Sequence, residues 1–334
     1  MFISFAFQKS RVSPPSAIRT DSLTKSYGTV NAVKDLDLTV RSGEVFGFLG
    51  PNGAGKSTTI DLLVGFTAPT SGSGRVLGTD IRDDADTLRS DVGILPDDYA
   101  VFPELTGREH VRSMRRLKGG DDEIDRVFDL VGIDEADRDR AAGEYSKGMC
   151  QRLALGMALI CDPDLLILDE PTSGLDPDGV ATVRDIVRDR ACDGTTVFFS
   201  SHHLAEVEAV CDRVGIMNRG QLVAVDTIES LRERAPSDTR LRMRVSEEPS
   251  SHVVDTLSAE SGIVPISVSD DEVVVACEKP SAKADAIETL HRSTPVRDFD
   301  VESPSLEHVF DAYTDPDRNT DRRSSDEATT EGRT

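Results

Sequence analysis

The segment EVFGFLGPNGAGKSTTIDLLVG, Glu44 to Gly65, limits the possible folds more than any other part of the chain. Its opening is a short apolar run without polar alternation, the pattern of a strand buried on both faces. Its close has helical spacing. Between them, Gly50 to Ser57 fits GxxxxGK[ST] in the strand–loop–helix context that this motif requires. Glycines let backbone N–H groups curl around the β- and γ-phosphates of a nucleotide. Lys56 brings a positive charge to the same place, and the Ser57 hydroxyl can ligate Mg2+. A strand buried on both faces needs helices on both sides of its sheet, which predicts an α/β domain with a mainly parallel sheet.

The rest of the first two thirds repeats this grammar. DLLILDE and GTTVFFSS are two more fully buried strands, each followed by helical spacing, in GVATVRDIVRDRAC and LAEVEAVC. IRTDSLTKSYG and VNAVKDLDLTV alternate like half-buried strands joined by a Tyr-Gly turn, and DRVGIMNRGQLVAVD reads as a closing hairpin. At the end of LLILDE, Asp169 is placed to hold a Mg2+ shell. Glu170 points to the opposite side and can polarise an attacking water. An ordinary strand end entering solvent would also carry two carboxylates, so the pair gains its meaning from the Gly50–Ser57 loop. Tyr27 is either an adenine-stacking ring or a surface residue before a turn. His202 and His203 follow TTVFFSS, where an imidazole can reach a γ-phosphate, and composition does not choose between them. The stretch YSKGMCQR opens a helix with Ser146, Lys147 and Gly148. It is either an ordinary Ser-capped start or a second anion site.

Composition narrows the class of function. The net charge of −23 in 334 residues argues against a general nucleic-acid binder, which would be basic. The 38 basic residues include only eight Lys, and there is no Trp. Excess acid with few Lys predicts a protein from a salt-accumulating halophile, where surface charge keeps the protein soluble and salt screens its self-repulsion. The five Cys are scattered without a CxxC pair and lie mostly in apolar runs, which predicts core thiols in a reducing cytosol rather than a metal site. No stretch approaches the roughly 18 apolar residues of a membrane span.

Composition shifts near Arg234. Beyond it the pattern reads strand TRLRMRV, helix SSHVVDTLSAE, strands IVPISVS and DEVVVAC, helix SAKADAIETLHR and strand VRDFDVE. The order βαββαβ predicts a small ferredoxin-like α+β domain over 238–312. Its role is open among regulation, dimer formation and ligand binding. The ends, 1–16 and 314–334, are expected to be a disordered extension and a disordered tail.

Taken in order, GPNGAGKST, YSKGMCQR, LLILDEPTSGLDP and FFSSHH resemble the ATP-binding subunit of an ABC transporter over about Ile18 to Asp226. YSKGM in place of LSGGQ, with a C-terminal extension, is most similar to the drug-, antibiotic- and sodium-export branch. The resemblance implies a P-loop NTPase fold of ABC type over 17–234: a mainly parallel sheet, an antiparallel β subdomain and a helical subdomain at about 97–150. It implies ATP and Mg2+ as ligands. Tyr27 is then the adenine-stacking aromatic. Gly50, Pro51, Asn52, Gly53, Ala54, Gly55, Lys56, Ser57 and Thr58 form the Walker A loop. Asp169 is the Walker B aspartate, Glu170 the catalytic base and His202 the switch histidine. Asp97, in ILPDDY, takes the Q-loop position with a side chain shorter than the usual Gln or Glu, so its carboxylate would reach the metal shell through water. Ser173 to Asp176 is the loop that communicates across the dimer.

In this family two subunits bind ATP head to tail, so Ser146 and Gly148 would close on the partner's nucleotide. Lys147 stands where many relatives have Gly, facing either nucleotide or solvent. The implied partners are an integral-membrane permease and a second copy of the chain, without nucleic acid, at the inner face of the cell membrane. Val101, Phe102 and Leu105 are equally an anchor for the permease or core of the helical subdomain. The alternative function is a soluble ABC ATPase in a nucleic-acid or ribosome-linked process. A P-loop kinase or GTPase would leave YSKGM and SGLDP unexplained.

Overall fold

The computed structural model describes residues 15–314 except 84–89, 122, 235–238, 248, 278 and 303–305. The extension and tail expected at the chain ends lie outside these residues, apart from three positions. The Pro15 carbonyl accepts the Ser42 N–H at 2.9 Å, Ser16 opens the first strand and Thr314 closes the last helix. The chain divides into two compact units, up to Val223 and from Ala224.

The first unit begins with antiparallel strands β1 (Ser16–Tyr27), β2 (Val30–Leu36) and β3 (Thr39–Arg41). β4 (Val45–Leu49) and α1 (Lys56–Leu63) flank the glycine loop. β5 (Ser71–Val76) and β6 (Thr79–Asp80) complete a sheet ordered β2-β1-β5-β6, with β3 pairing β1. After β7 (Val92–Leu95) the chain turns helical: α2 (Gly107–Lys118), α3 (Ile124–Val131), α4 (Glu135–Arg138) and α5 (Lys147–Leu159). The start of α2 is fixed by a capping box, Thr106 with Glu109, and its end by Gly119 at φ 72°. Then follow β8 (Leu165–Asp169), α6 (Pro177–Cys192), β9 (Thr196–Ser201), α7 (Leu204–Val210), β10 (Arg213–Asn218) and β11 (Gln221–Asp226).

The second sheet runs β11-β10-β4-β9-β8-β7. From β10 to β7 every pair is parallel. Every residue of β4, β8 and β9 is buried, as the unbroken apolar runs require. Phe198 stacks on Phe46 at 5.9 Å and tilts against Phe48 at 5.1 Å between ring centroids. Register places the function: Leu49 pairs Ser201 and Asp169 pairs Ser200, so the glycine loop, Glu170 and His202 all leave the sheet at one edge. Ligands bind at that edge, outside the carboxyl ends of the strands, in open α/β sheets.

The second unit contains α8 (Ile228–Arg234), β12 (Thr239–Val245), α9 (Ser251–Ala259), β13 (Ile263–Val268), β14 (Glu272–Cys277), α10 (Pro280–Ser293), β15 (Val296–Glu302) and α11 (Leu306–Thr314). Its sheet is antiparallel throughout, ordered β13-β14-β12-β15. Leu241, Met243, Val273 and Val275 share a buried cluster with Leu257, Ala286 and Leu290.

The cysteine expectation needs correction. None of the five cysteines is in a disulfide, but only Cys277 is fully buried and Cys192 is exposed. Cys192 is the last residue of α6, where an apolar sequence run no longer decides which face meets solvent.

Candidate active site at the carboxyl ends of the parallel strands

The glycine loop is shaped by close backbone approach. A Cβ on Gly50 would lie 2.6 Å from the Met217 carbonyl oxygen, and one on Gly55 2.3 Å from that of Ala32. Gly55 also has φ +106°, outside the range of ordinary side-chain-bearing residues. Pro51, Asn52, Gly53 and Ser57 remain exposed, Thr58 is half-buried, and Ala54 is buried, its N–H donating to the Pro51 carbonyl at 3.0 Å. Lys56 is buried and turns back over the loop, where its Nζ donates to the Gly50 carbonyl at 2.7 Å. The same ammonium stands 3.8 Å from Glu170 Oε1.

Glu170 is the hub of the site. Its φ is +49°, an unusual conformation for glutamate, and its N–H donates to the Ser200 carbonyl at 3.0 Å across the strand ends. Its other oxygen, Oε2, accepts from His202 Nδ1 at 2.8 Å. His202, not His203, is therefore the histidine that meets the carboxylate, and the His203 ring lies against it at 4.0 Å. Asp169 is buried, with Oδ1 accepting from Ser200 Oγ at 2.6 Å. Asp61, four residues beyond Ser57 on α1, has its carboxyl pushed above the usual range by burial and then by the negative charge of Asp169.

Among the described residues no group of three or more His, Cys, Asp or Glu could hold a metal alone. Mg2+ at a nucleotide takes one or two protein oxygens and completes its shell with phosphates and water. Ser57 and Asp169 supply oxygen donors of the right kind. Asp97 is exposed two residues beyond β7.

A second cluster forms around the start of α5. The Ser146 hydroxyl caps this helix, accepting the Met149 N–H at 3.2 Å. Beside Gly148 there is open room: a Cβ there would meet nothing closer than Leu175 Cδ2 at 3.6 Å. Asp176 caps α6 by accepting the Gly179 N–H at 2.8 Å, with Arg152 Nη2 3.6 Å away. The Lys147 stem lies across Gly174, where a Cβ would be 2.6 Å from Lys147 Cε. The exposed Lys147 thus packs on the SGLD loop of its own chain.

Tyr27 stands apart, half exposed, with Lys25 Nζ 5.0 Å from its ring centroid. Phe102 is 65% exposed and stacks on buried His110, so it is not core of the helical segment; Val101 and Leu105 are half-buried. Sequence reading missed Gln151, whose buried Nε2 donates to the Pro171 carbonyl at 2.9 Å and ties α5 to the segment after Glu170. It also missed Ser200 and Glu206. The apolar run of β9 carried a signal for Ser200, since a serine inside a fully buried strand needs a partner.

Comparison with known proteins decides the family. A family model described as ABC transporter matches residues 33–173. The daunorubicin/doxorubicin resistance ATP-binding protein of Streptomyces peucetius is 37% identical over 326 residues, covering 95% of this chain and 98% of the relative. The chain belongs to the ATP-binding subunits of ABC transporters. The linearmycin resistance ATP-binding protein of Bacillus subtilis (strain 168) is 32% identical over 308 residues, 88% of this chain and 96% of the relative. The solved structure of an ATP-binding subunit of an ABC transporter aligns with a TM-score of 0.62 at 28% identity, covering 66% of this chain and 93% of that one. A dimeric ABC transporter cassette shares the fold, with a TM-score of 0.59 at 21% identity over 63% of this chain and 98% of that one. As an ABC protein the chain is an ATPase. No helix among the described residues is long and apolar enough to cross a membrane.

Proposed function

We propose that this ABC protein binds and hydrolyses ATP to power a separate integral-membrane permease in the direction of export. The observation that carries the reading is the contact of Lys56, Glu170 and His202 at the ends of adjacent strands. Lys56 and the loop from Gly50 to Thr58 hold the β- and γ-phosphates, and Tyr27 stacks on adenine. Ser57 and Asp169 hold Mg2+, with Asp97 reaching its shell through water. When bound, Mg2+ neutralises charge developing on the phosphoryl oxygens. Glu170 takes the proton of the water that attacks the γ-phosphorus, the bond to the leaving β-phosphate oxygen breaks, and His202 holds Glu170 and the γ-phosphate in line.

The α5 start, with Ser146 and Gly148, offers a helix N-terminus to an anion, and no hydrogen bond between described residues joins it to the Lys56–Glu170–His202 group. We assign it to the nucleotide of a second copy, with Asp176 in the loop between the two sites. Two copies closing on ATP and reopening after hydrolysis would drive a permease at the inner face of the membrane, with exposed Phe102 near that contact. The Streptomyces and Bacillus relatives carry drug-resistance names, which supports export. The ABC domain is assigned to 17–234. The unit with order βαββαβ is read as a ferredoxin-like accessory domain over 238–312, and the acidic surface as halophilic. A nucleic-acid or ribosome-linked role is not favoured by these relatives.

A mixing experiment tests the shared site. Lys56→Ala removes one subunit's own phosphate charge, while Gly148→Asp blocks what it lends to its partner. Each variant alone should be inactive. Random mixing should restore about a quarter of wild-type ATPase, because half of the dimers are mixed and each contains one intact site. No recovery on mixing two variants that are each inactive alone, or full activity of either variant alone, would refute the shared site.

A further inference from the structure

We propose that Glu206 is a positioning residue for hydrolysis: its carboxylate ties the segment after Glu170 to the segment before His202 and so sets the contact between those two. The proposal rests on the reading of Glu170 as the base.

Glu206 is the third residue of α7, after His203 at the N-cap. A glutamate at that place ordinarily turns back to the first N–H of its own helix. Here no side chain caps α7. Glu206 Oε2 instead accepts from Thr172 Oγ1 at 2.6 Å and from Ser201 Oγ at 3.2 Å. Ser201 Oγ in turn accepts the His203 N–H at 2.9 Å. Thr172 is two residues past Glu170, and Ser201 is one residue before His202. Both hydroxyl-bearing residues are buried, Ser201 completely. One carboxylate oxygen thus collects donors from the ends of β8 and β9, and the chain of bonds brackets the 2.8 Å contact of His202 with Glu170 on both sides.

Backbone bonding alone leaves this contact adjustable. Glu170 is held to Ser200 by a single N–H bond at a left-handed turn, and His202 lies beyond the last paired residue of β9. Hydrogen bonds to a charged acceptor are about twice as strong as neutral ones. Losing them frees both segments to shift, and a displacement of about 1 Å at a reacting group costs on the order of a hundredfold in rate. Glu206 touches neither Glu170 nor His202 in any hydrogen bond between described residues, so it acts through position.

The test is ATPase kinetics on the full-length chain. Glu206→Ala should lower kcat by about 10- to 100-fold with KM for ATP within about twofold of wild type, because the phosphate loop is untouched. Glu206→Gln should recover most of kcat, since an amide oxygen still accepts two hydroxyls. Thr172→Val should reproduce part of the loss, and thermal unfolding should show all variants folded. Under single-turnover conditions, Glu206→Ala should add nothing to His202→Ala, because both act through one contact. Unchanged kcat, a Gln variant no better than Ala, or losses that multiply with His202→Ala would overturn the proposal. Retained hydrolysis in Glu170→Gln would instead remove the base reading, a separable result.

Discussion

Aspartate at position 148 should separate stability from catalysis. Gly148 is the second residue of α5, and a Cβ there would lie 3.6 Å from Leu175 Cδ2 and 3.9 Å from the Gly174 carbonyl oxygen, ordinary contact distances. Nothing must move to admit a Cβ there. Removing a helical glycine recovers about 0.5–1 kcal/mol of backbone entropy. A carboxylate in the first turn interacts favourably with the helix dipole, by about 0.3–1 kcal/mol. Folding stability should therefore hold or rise by about 1 kcal/mol, equal to about 2–4 °C in a domain of this size. Catalysis should respond oppositely. A unit negative charge about 4 Å from the partner's γ-phosphate costs about 4 kcal/mol at an effective dielectric of about 20. That corresponds to about three decades of rate. Steady-state ATPase and thermal unfolding of Gly148→Asp measure both arms, and Gly148→Ala separates charge from bulk. Nucleotide binding to the isolated subunit should persist, since the glycine loop is intact. Full turnover in the Asp variant, or an Ala variant as damaged as Asp, would refute the placement of Gly148 at a phosphate.

Two further predictions concern charge. The Asp61 carboxyl is raised above its ordinary 3.8 by burial and by Asp169, so the folded state holds its proton more tightly than the unfolded chain. Its contribution to stability therefore falls as pH rises from the ordinary value through the raised one, and the charged form costs stability at neutral pH. Asp61→Asn should raise the melting temperature at pH 7, with the difference closing below about pH 4; an equal gain at both pH values would contradict this. The charge of −23 should make the wild-type chain salt-dependent. Its melting temperature should climb between about 0.1 and 2 M KCl, as the Debye length falls from about 10 Å to below about 3 Å. A flat profile would remove the halophile reading.

The parts of the site legible in sequence were those carried within one segment. The glycine loop with Lys56 announces itself because strand, turn and helix are contiguous. Asp169 and Glu170 follow from the end of a buried strand. Contacts between segments were illegible because strand register creates them. His202 and His203 are equivalent in composition, and only the pairing of β8 with β9 aims the first at Glu170. Gln151 to Pro171 and Glu206 to Thr172 join residues 20 and 34 positions apart. Lys147 was undecidable because its stem follows the left-handed turn at Gly174, at φ +75°. Phe102 was undecidable because an aromatic ring near a helix start serves core and surface equally.

The most direct test of the account is Glu170→Gln in the otherwise wild-type chain, followed by ATP hydrolysis and by molar mass in solution with ATP and Mg2+. The substitution removes the proton acceptor but leaves Lys56, Asp169, Ser146 and Gly148 in place. The account predicts no steady-state turnover together with an ATP-dependent dimer that persists. Hydrolysis at the wild-type rate would contradict Glu170 as the base, and a monomer in the presence of ATP would contradict the shared site.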